Sequence, residues 1–116
     1  MSEDLVQRGW RYSDHVPYST PPSLTSLRGP TSGVIRVPHH INTAPQATYD
    51  LDDAADLWAA YSAIVRDGHP EDHIAFLNRE VLLRLWPDLN LPRRCREAWT
   101  SAFPELRVLP VRALVV

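Results

Sequence analysis

Three arginines crowd the stretch Arg93-Arg94-Cys95-Arg96, directly behind Pro92. Proline suits the first position of a helix, so a helix over 92–103 would open with these residues. The first turn holds the positive end of the helix dipole, where each basic residue costs a few tenths to about 1 kcal/mol. A sequence that accepts this cost repeatedly is using it. Exposed backbone N–H groups and guanidinium forks make an anion site, suited to phosphate or to a partner's carboxylates. The competing reading is that Asp88, Glu97 or a neighbouring helix neutralises the cluster, as on many solvated faces.

His69 and His73 stand four residues apart on a predicted short helix, with Glu71 and Asp72 between them. That spacing can present two imidazoles to one metal ion, but two ligands do not make a site. The zinc-protease motif needs its glutamate directly after the first histidine, and here that position is Pro70. His39 or His40 becomes a further ligand only if the fold brings it there, so no metal and no cofactor is expected from sequence. Cys95 shares an apolar face with Trp99 and Phe103, which reads as a small core residue and not a reactive thiolate. No serine lies in a Gly-x-Ser-x-Gly elbow, and Gly29, Gly33 and Gly68 fit neither the Walker nor the dinucleotide spacing. The acids Asp50, Asp52, Asp53 and Asp56 are explained most simply as a helix start. The expectation is a binding protein and not an enzyme.

The elements that must position these groups are legible in outline. Residues 1–32 read as an extended Pro/Ser-rich arm, because Pro17, Pro21, Pro22 and Pro30 block helices and serines and threonines fill the gaps. Yet the arm carries Trp10, Tyr12, Val16, Tyr18, Leu24 and Leu27, which must pack either on the protein's own helices or on a partner. Val34–Val37 and Ala47–Leu51 read as two short strands of a ribbon that needs a helix or a partner's sheet behind it. Four short helices follow. One begins at Asp52 or Asp53 and stops at Gly68, with Leu57, Trp58, Tyr61, Ile64 and Val65 on its stripe. The second, 70–77, offers Ile74 and Leu77; the third is capped by Asn78 and ended by Pro87; the fourth spans 92–103. The fold class is therefore α+β, mainly α: a small helical domain with a β ribbon over residues 33–106, an N-terminal arm, and an apolar tail over 107–116. Trp58, Trp86 and Trp99 are expected in the core.

Composition narrows the function classes. A chain of 116 residues is one domain. Its net charge of −2 is too near neutral for the whole surface to attract nucleic acid, so any electrostatic role is local. All 12 basic residues are arginine, which excludes chemistry by a lysine base or Schiff base. One cysteine forbids an internal disulfide and fits a reducing compartment. The first residues lack the order of a signal peptide, and no apolar run approaches the roughly 20 residues of a membrane span. A cytoplasmic protein without membrane contact is expected.

Trp, Tyr and Arg are the residues most often found at interface hot spots. Trp10, Arg11, Tyr12 and Tyr18 in the arm, with Arg93, Arg94 and Arg96, are therefore the candidate partner-binding residues; for the arm, packing on the protein itself is the rival. The segments Tyr12-Ser13-Asp14-His15-Val16-Pro17-Tyr18, Ser23-Leu24, Leu27-Arg28-Gly29-Pro30, Leu85-Trp86-Pro87-Asp88-Leu89, Leu91-Pro92-Arg93-Arg94 and Phe103-Pro104-Glu105-Leu106 resemble a group of small actinobacterial proteins. These are often found beside nucleotidyltransferase toxins of the abortive-infection type. The resemblance implies an antitoxin, active in phage defence, that neutralises a nucleotidyltransferase toxin by direct binding. In that setting the arginines would face the carboxylates with which such a toxin holds Mg²⁺. The alternative is a small DNA-binding regulator, with helices 70–77, 78–86 and 92–103 imitating a helix-turn-helix and its arginine-rich helix start in the major groove.

Overall fold

The computed structural model describes residues 18–107. Trp10, Arg11 and Tyr12, and the apolar tail from residue 108 on, lie outside the described residues. Strand β1 (Val34–Arg36) pairs antiparallel with β2 (Thr48–Asp50), and Ile35 stands opposite Tyr49. The ribbon is lengthened by Val37 N–H to Ala47 O at 3.1 Å and Leu51 N–H to Gly33 O at 2.8 Å. Gly33, at φ 87°, makes the turn into β1, a left-handed conformation that a side chain would strain. The ribbon lies on the helices: Ile35, Val37 and Leu51 are all buried.

Helix α1 (Ala54–Asp67) starts where Asp53 accepts the Asp56 N–H at 2.9 Å. Tyr61, Ile64 and Val65 are sealed in the core. Trp58 is not; it is 39% exposed, against the expectation that it is a core residue. It is offset by one residue, about 100° of helix, from the Leu57–Tyr61–Ile64 stripe, which leaves it at the rim. Gly68 ends α1 with φ −78°, so it supplies no left-handed cap. It serves by its size, since a Cβ there would come within 2.5 Å of Ile64 O.

Helix α2 (Pro70–Phe76) follows the expected pattern only at its end, where Leu77 is buried. It buries the polar Asp72 and His73 and leaves Ile74 half-exposed. Helix α3 (Arg79–Leu85) is capped by Asn78, whose Oδ1 accepts from Val81 N–H at 3.1 Å. A 3₁₀ turn (Trp86–Asp88) leads to helix α4 (Arg93–Ala102), with Pro92 as its N-cap residue. Trp99 of α4 is the centre of the core, with His73 edge-on at 4.8 Å, Phe103 at 5.7 Å and Trp86 at 6.1 Å.

The described part of the arm belongs to this body. Leu24 and Leu27 are core residues, and Tyr18 packs half-buried against the core. Arg28 N–H donates to Ile74 O and Gly29 N–H to Leu77 O, both at 2.8 Å, so the arm satisfies carbonyls that the end of α2 leaves open. The backbones meet so closely that a Cβ on Gly29 would lie 2.2 Å from the Phe76 carbonyl carbon. For residues 24–29 the rival expectation, packing on the protein's own helices, is what the structure has. The folded body thus begins before residue 33.

Candidate functional site

Two constellations bring chemistry-bearing residues together. The first surrounds the 86–92 connection, which α1 and α4 stitch from both sides. From α1, the Trp58 indole N–H donates to Asp88 O at 2.6 Å, and one turn on Ser62 Oγ accepts from Asn90 N–H at 3.0 Å. From α4, the Arg96 guanidinium donates to Trp86 O at 3.0 Å and Leu89 O at 2.7 Å while lying 4.9 Å from the centroid of the Trp86 ring. Arg96 therefore departs from its expected place in a partner-binding set. It is half-buried, and its fork donates to two carbonyls where the chain leaves α3, one of which, Trp86 O, also accepts the Leu89 N–H at 3.3 Å. Burial holds its pKa below the usual arginine value.

Arg93 and Arg94 behave differently. Arg93 Nε lies 3.4 Å from Glu97 Oε2, and Arg94 Nη1 lies 3.3 Å from Glu97 Oε1. Both side chains face solvent, Arg93 at 77% exposure. The placement against the dipole thus has two answers: a carboxylate one turn along offsets the outer pair, and backbone carbonyls absorb the third. Trp58 and Arg93 both border the 86–92 connection and remain open to solvent.

The second constellation was only half visible in sequence. His73 does not join His69. It is wholly buried, its Nε2 lies 3.1 Å from Ile64 O, and burial pushes its pKa down to about 4, so it is neutral at pH 7. His69 instead precedes α2 with its ring outside, and there it stacks on His40 at 4.1 Å between centroids and 7° between planes. His40 arrives because the connection between the strands turns back on Pro38, whose carbonyl accepts from Ile41 and Asn42 N–H, while buried Ile41 anchors the turn. His40 Nε2 sits 2.7 Å from Asp72 Oδ2, the same oxygen that accepts the His69 N–H at 2.9 Å. Burial opposes the Asp72 charge, but the His69 N–H and the His40 ring outweigh it and lower the carboxyl pKa. Candidate ligand atoms of His40, His69 and Asp72 all fall within 4.8 Å of one another. Asp72 was detectable as a helix-start acid; the approach of His40, 32 residues away in the chain, had no local signal.

Cys95 is buried, its Sγ lies 3.9 Å from Val65 O, and desolvation raises its pKa to about 11. It is a core residue. No helix of the described residues is long and apolar enough to cross a membrane. No family model matches this chain, and no curated protein or solved structure matches it.

Proposed function

We propose that this chain is a non-enzymatic binding module that docks on another protein, and that in its finer form it is an antitoxin neutralising a nucleotidyltransferase-type toxin. The observation that carries the binding reading is Trp58. A large aromatic stays 39% exposed, yet its indole is pinned by a 2.6 Å hydrogen bond to the Asp88 carbonyl. A rigid, exposed tryptophan offers area to a partner at little entropic cost, and tryptophan with arginine dominates interface hot spots. Arg93, exposed where the same connection enters α4, supplies a fork for carboxylates. The antitoxin identity rests on the sequence resemblance alone, and the acidic metal-binding centre of such a toxin is the surface that these groups suit. A protein partner is preferred to DNA because Arg96, which a major-groove helix start would turn to the bases, is committed to backbone carbonyls.

The test is affinity capture of the native protein from its host, with a nucleotidyltransferase-type toxin expected among the proteins recovered. The R93E/R94E variant, which leaves Arg96 intact, and Trp58→Ala are each expected to keep the native circular dichroism spectrum and to lose at least about tenfold in affinity, the scale of a hot spot. Unchanged capture and unchanged cell rescue by both variants would overturn the proposed surface.

A further inference from the structure

We infer that His40, His69 and Asp72 form a binding site for a divalent transition metal ion of the zinc class. The donors are two imidazoles and one carboxylate, the set that Zn²⁺ takes when three protein ligands leave a fourth position open. They come from two segments far apart in sequence, the connection between the strands and the start of α2, so their meeting is a product of the fold. The turn anchored by Ile41 carries His40 to this place, but core packing does not require the two rings to meet. His40 and His69 are both substantially exposed, and surface imidazoles gain little by stacking face to face.

The three ligand atoms stand within 4.8 Å of one another, so small movements would gather them on one ion. Zinc sits about 2.0–2.2 Å from nitrogen and carboxylate oxygen, which sets tetrahedral ligand atoms roughly 3.3 Å apart. The His40 Nε2 to Asp72 Oδ2 pair, at 2.7 Å, needs only to open by about 0.6 Å as the ion replaces the shared proton, which leaves to solvent. The parallel rings must tilt toward one point, and their side-chain exposures of 38% and 54% leave them room. Asp72 is the fixed member. Its side chain is only 11% exposed, and the His69 backbone N–H orients its oxygen, the outer-shell support that metal-binding carboxylates need. Glu71, 78% exposed with Oε2 4.0 Å from His69 Nδ1, borders the open side, where the ion would enter and where a fourth ligand would bind. A bound ion would staple the connection between the strands to the start of α2. Metal binding by these three residues does not depend on Trp58 or Arg93.

The experiment uses the full chain without a histidine tag, stripped with chelator and titrated with Co²⁺ and then Zn²⁺. The wild type is expected to bind one equivalent of Co²⁺ with the intense visible band of four-coordinate cobalt, and Zn²⁺ is expected to displace it and raise the unfolding temperature. Loss of an outer-shell partner costs 10–100-fold in metal affinity, so removing a ligand by His40→Ala or His69→Ala should cost about 100-fold. Should His69→Ala unfold, His40→Ala keeps the test, because the His40 side chain is exposed. The neighbouring His39→Ala is expected to bind as the wild type does. Binding weaker than micromolar in the wild type, equal affinity in His40→Ala, or an equal loss in His39→Ala would each overturn the site.

Discussion

Arginines 93, 94 and 96 are neighbours in sequence with one chemistry, yet the structure predicts sharply different consequences for removing them. Truncating Arg96 to alanine removes its hydrogen bonds to the Leu89 carbonyl and to the Trp86 carbonyl, which keeps only the Leu89 N–H at 3.3 Å, and removes the cation over the Trp86 ring. Hydrogen bonds from a charged donor contribute about 1.5–3 kcal/mol when buried. The site is only half-buried and water can reach the freed carbonyls, so about 1 kcal/mol apiece is the better figure. The cation–π contact adds about 0.5 kcal/mol, for a total near 2–3 kcal/mol. In a domain of this size that is a fall of roughly 10 °C in Tm. Arg93→Ala and Arg94→Ala each lose an exposed ion pair with Glu97, expected to change stability by about 0.5 kcal/mol or less. Arg96→Lys should recover little, because a point charge on a flexible stem cannot reproduce a two-pronged donor. Urea unfolding of the four variants, followed by tryptophan fluorescence, checks the ordering. If Arg96→Ala costs no more than Arg93→Ala, Arg96 does not hold the connection and the division of roles is wrong.

Three further outcomes follow from the packing. Gly29→Ala should destabilise by about 2–4 kcal/mol, since its Cβ meets the α2 backbone at 2.2 Å. Gly33→Ala, with open space around it but φ at 87°, should cost only about 1 kcal/mol, and thermal unfolding of the pair separates the two causes. The Cys95 thiol should react with an aromatic disulfide reagent at pH 8 only after denaturant is added. Its pKa is raised from 9.0 to about 11 by burial, so its contribution to stability is complete below pH 9 and is lost as pH rises through that window. A Cys95→Ala variant should lose that part of the alkaline slope in urea unfolding.

The described arm residues show how the small core is completed. Leu24 and Leu27 fill it, and the backbone of Arg28 and Gly29 closes the end of α2. The segment reads as an extended arm in sequence because its prolines block helices, and of the two places its leucines could pack, the structure has the protein's own core. Pro21 itself is buried. The same fact makes Tyr18 a residue that packs on its own core.

Local rules determined the elements. Asp53, Asn78 and Pro70 mark helix starts, Gly68, Pro87 and Pro104 mark ends, and the short run Val34–Val37 between the Gly33 turn and Pro38 marks a strand; each depends on residues within a turn or two of the backbone they shape. Tertiary structure alone decided which face of each element meets another. It buried His73 where Ile74 was expected, left Trp58 at the rim, turned Arg96 inward while Arg93 stayed out, and brought His40 onto Asp72. Those outcomes depend on contacts between residues far apart in the chain, and such contacts leave no periodicity for a linear reading to detect.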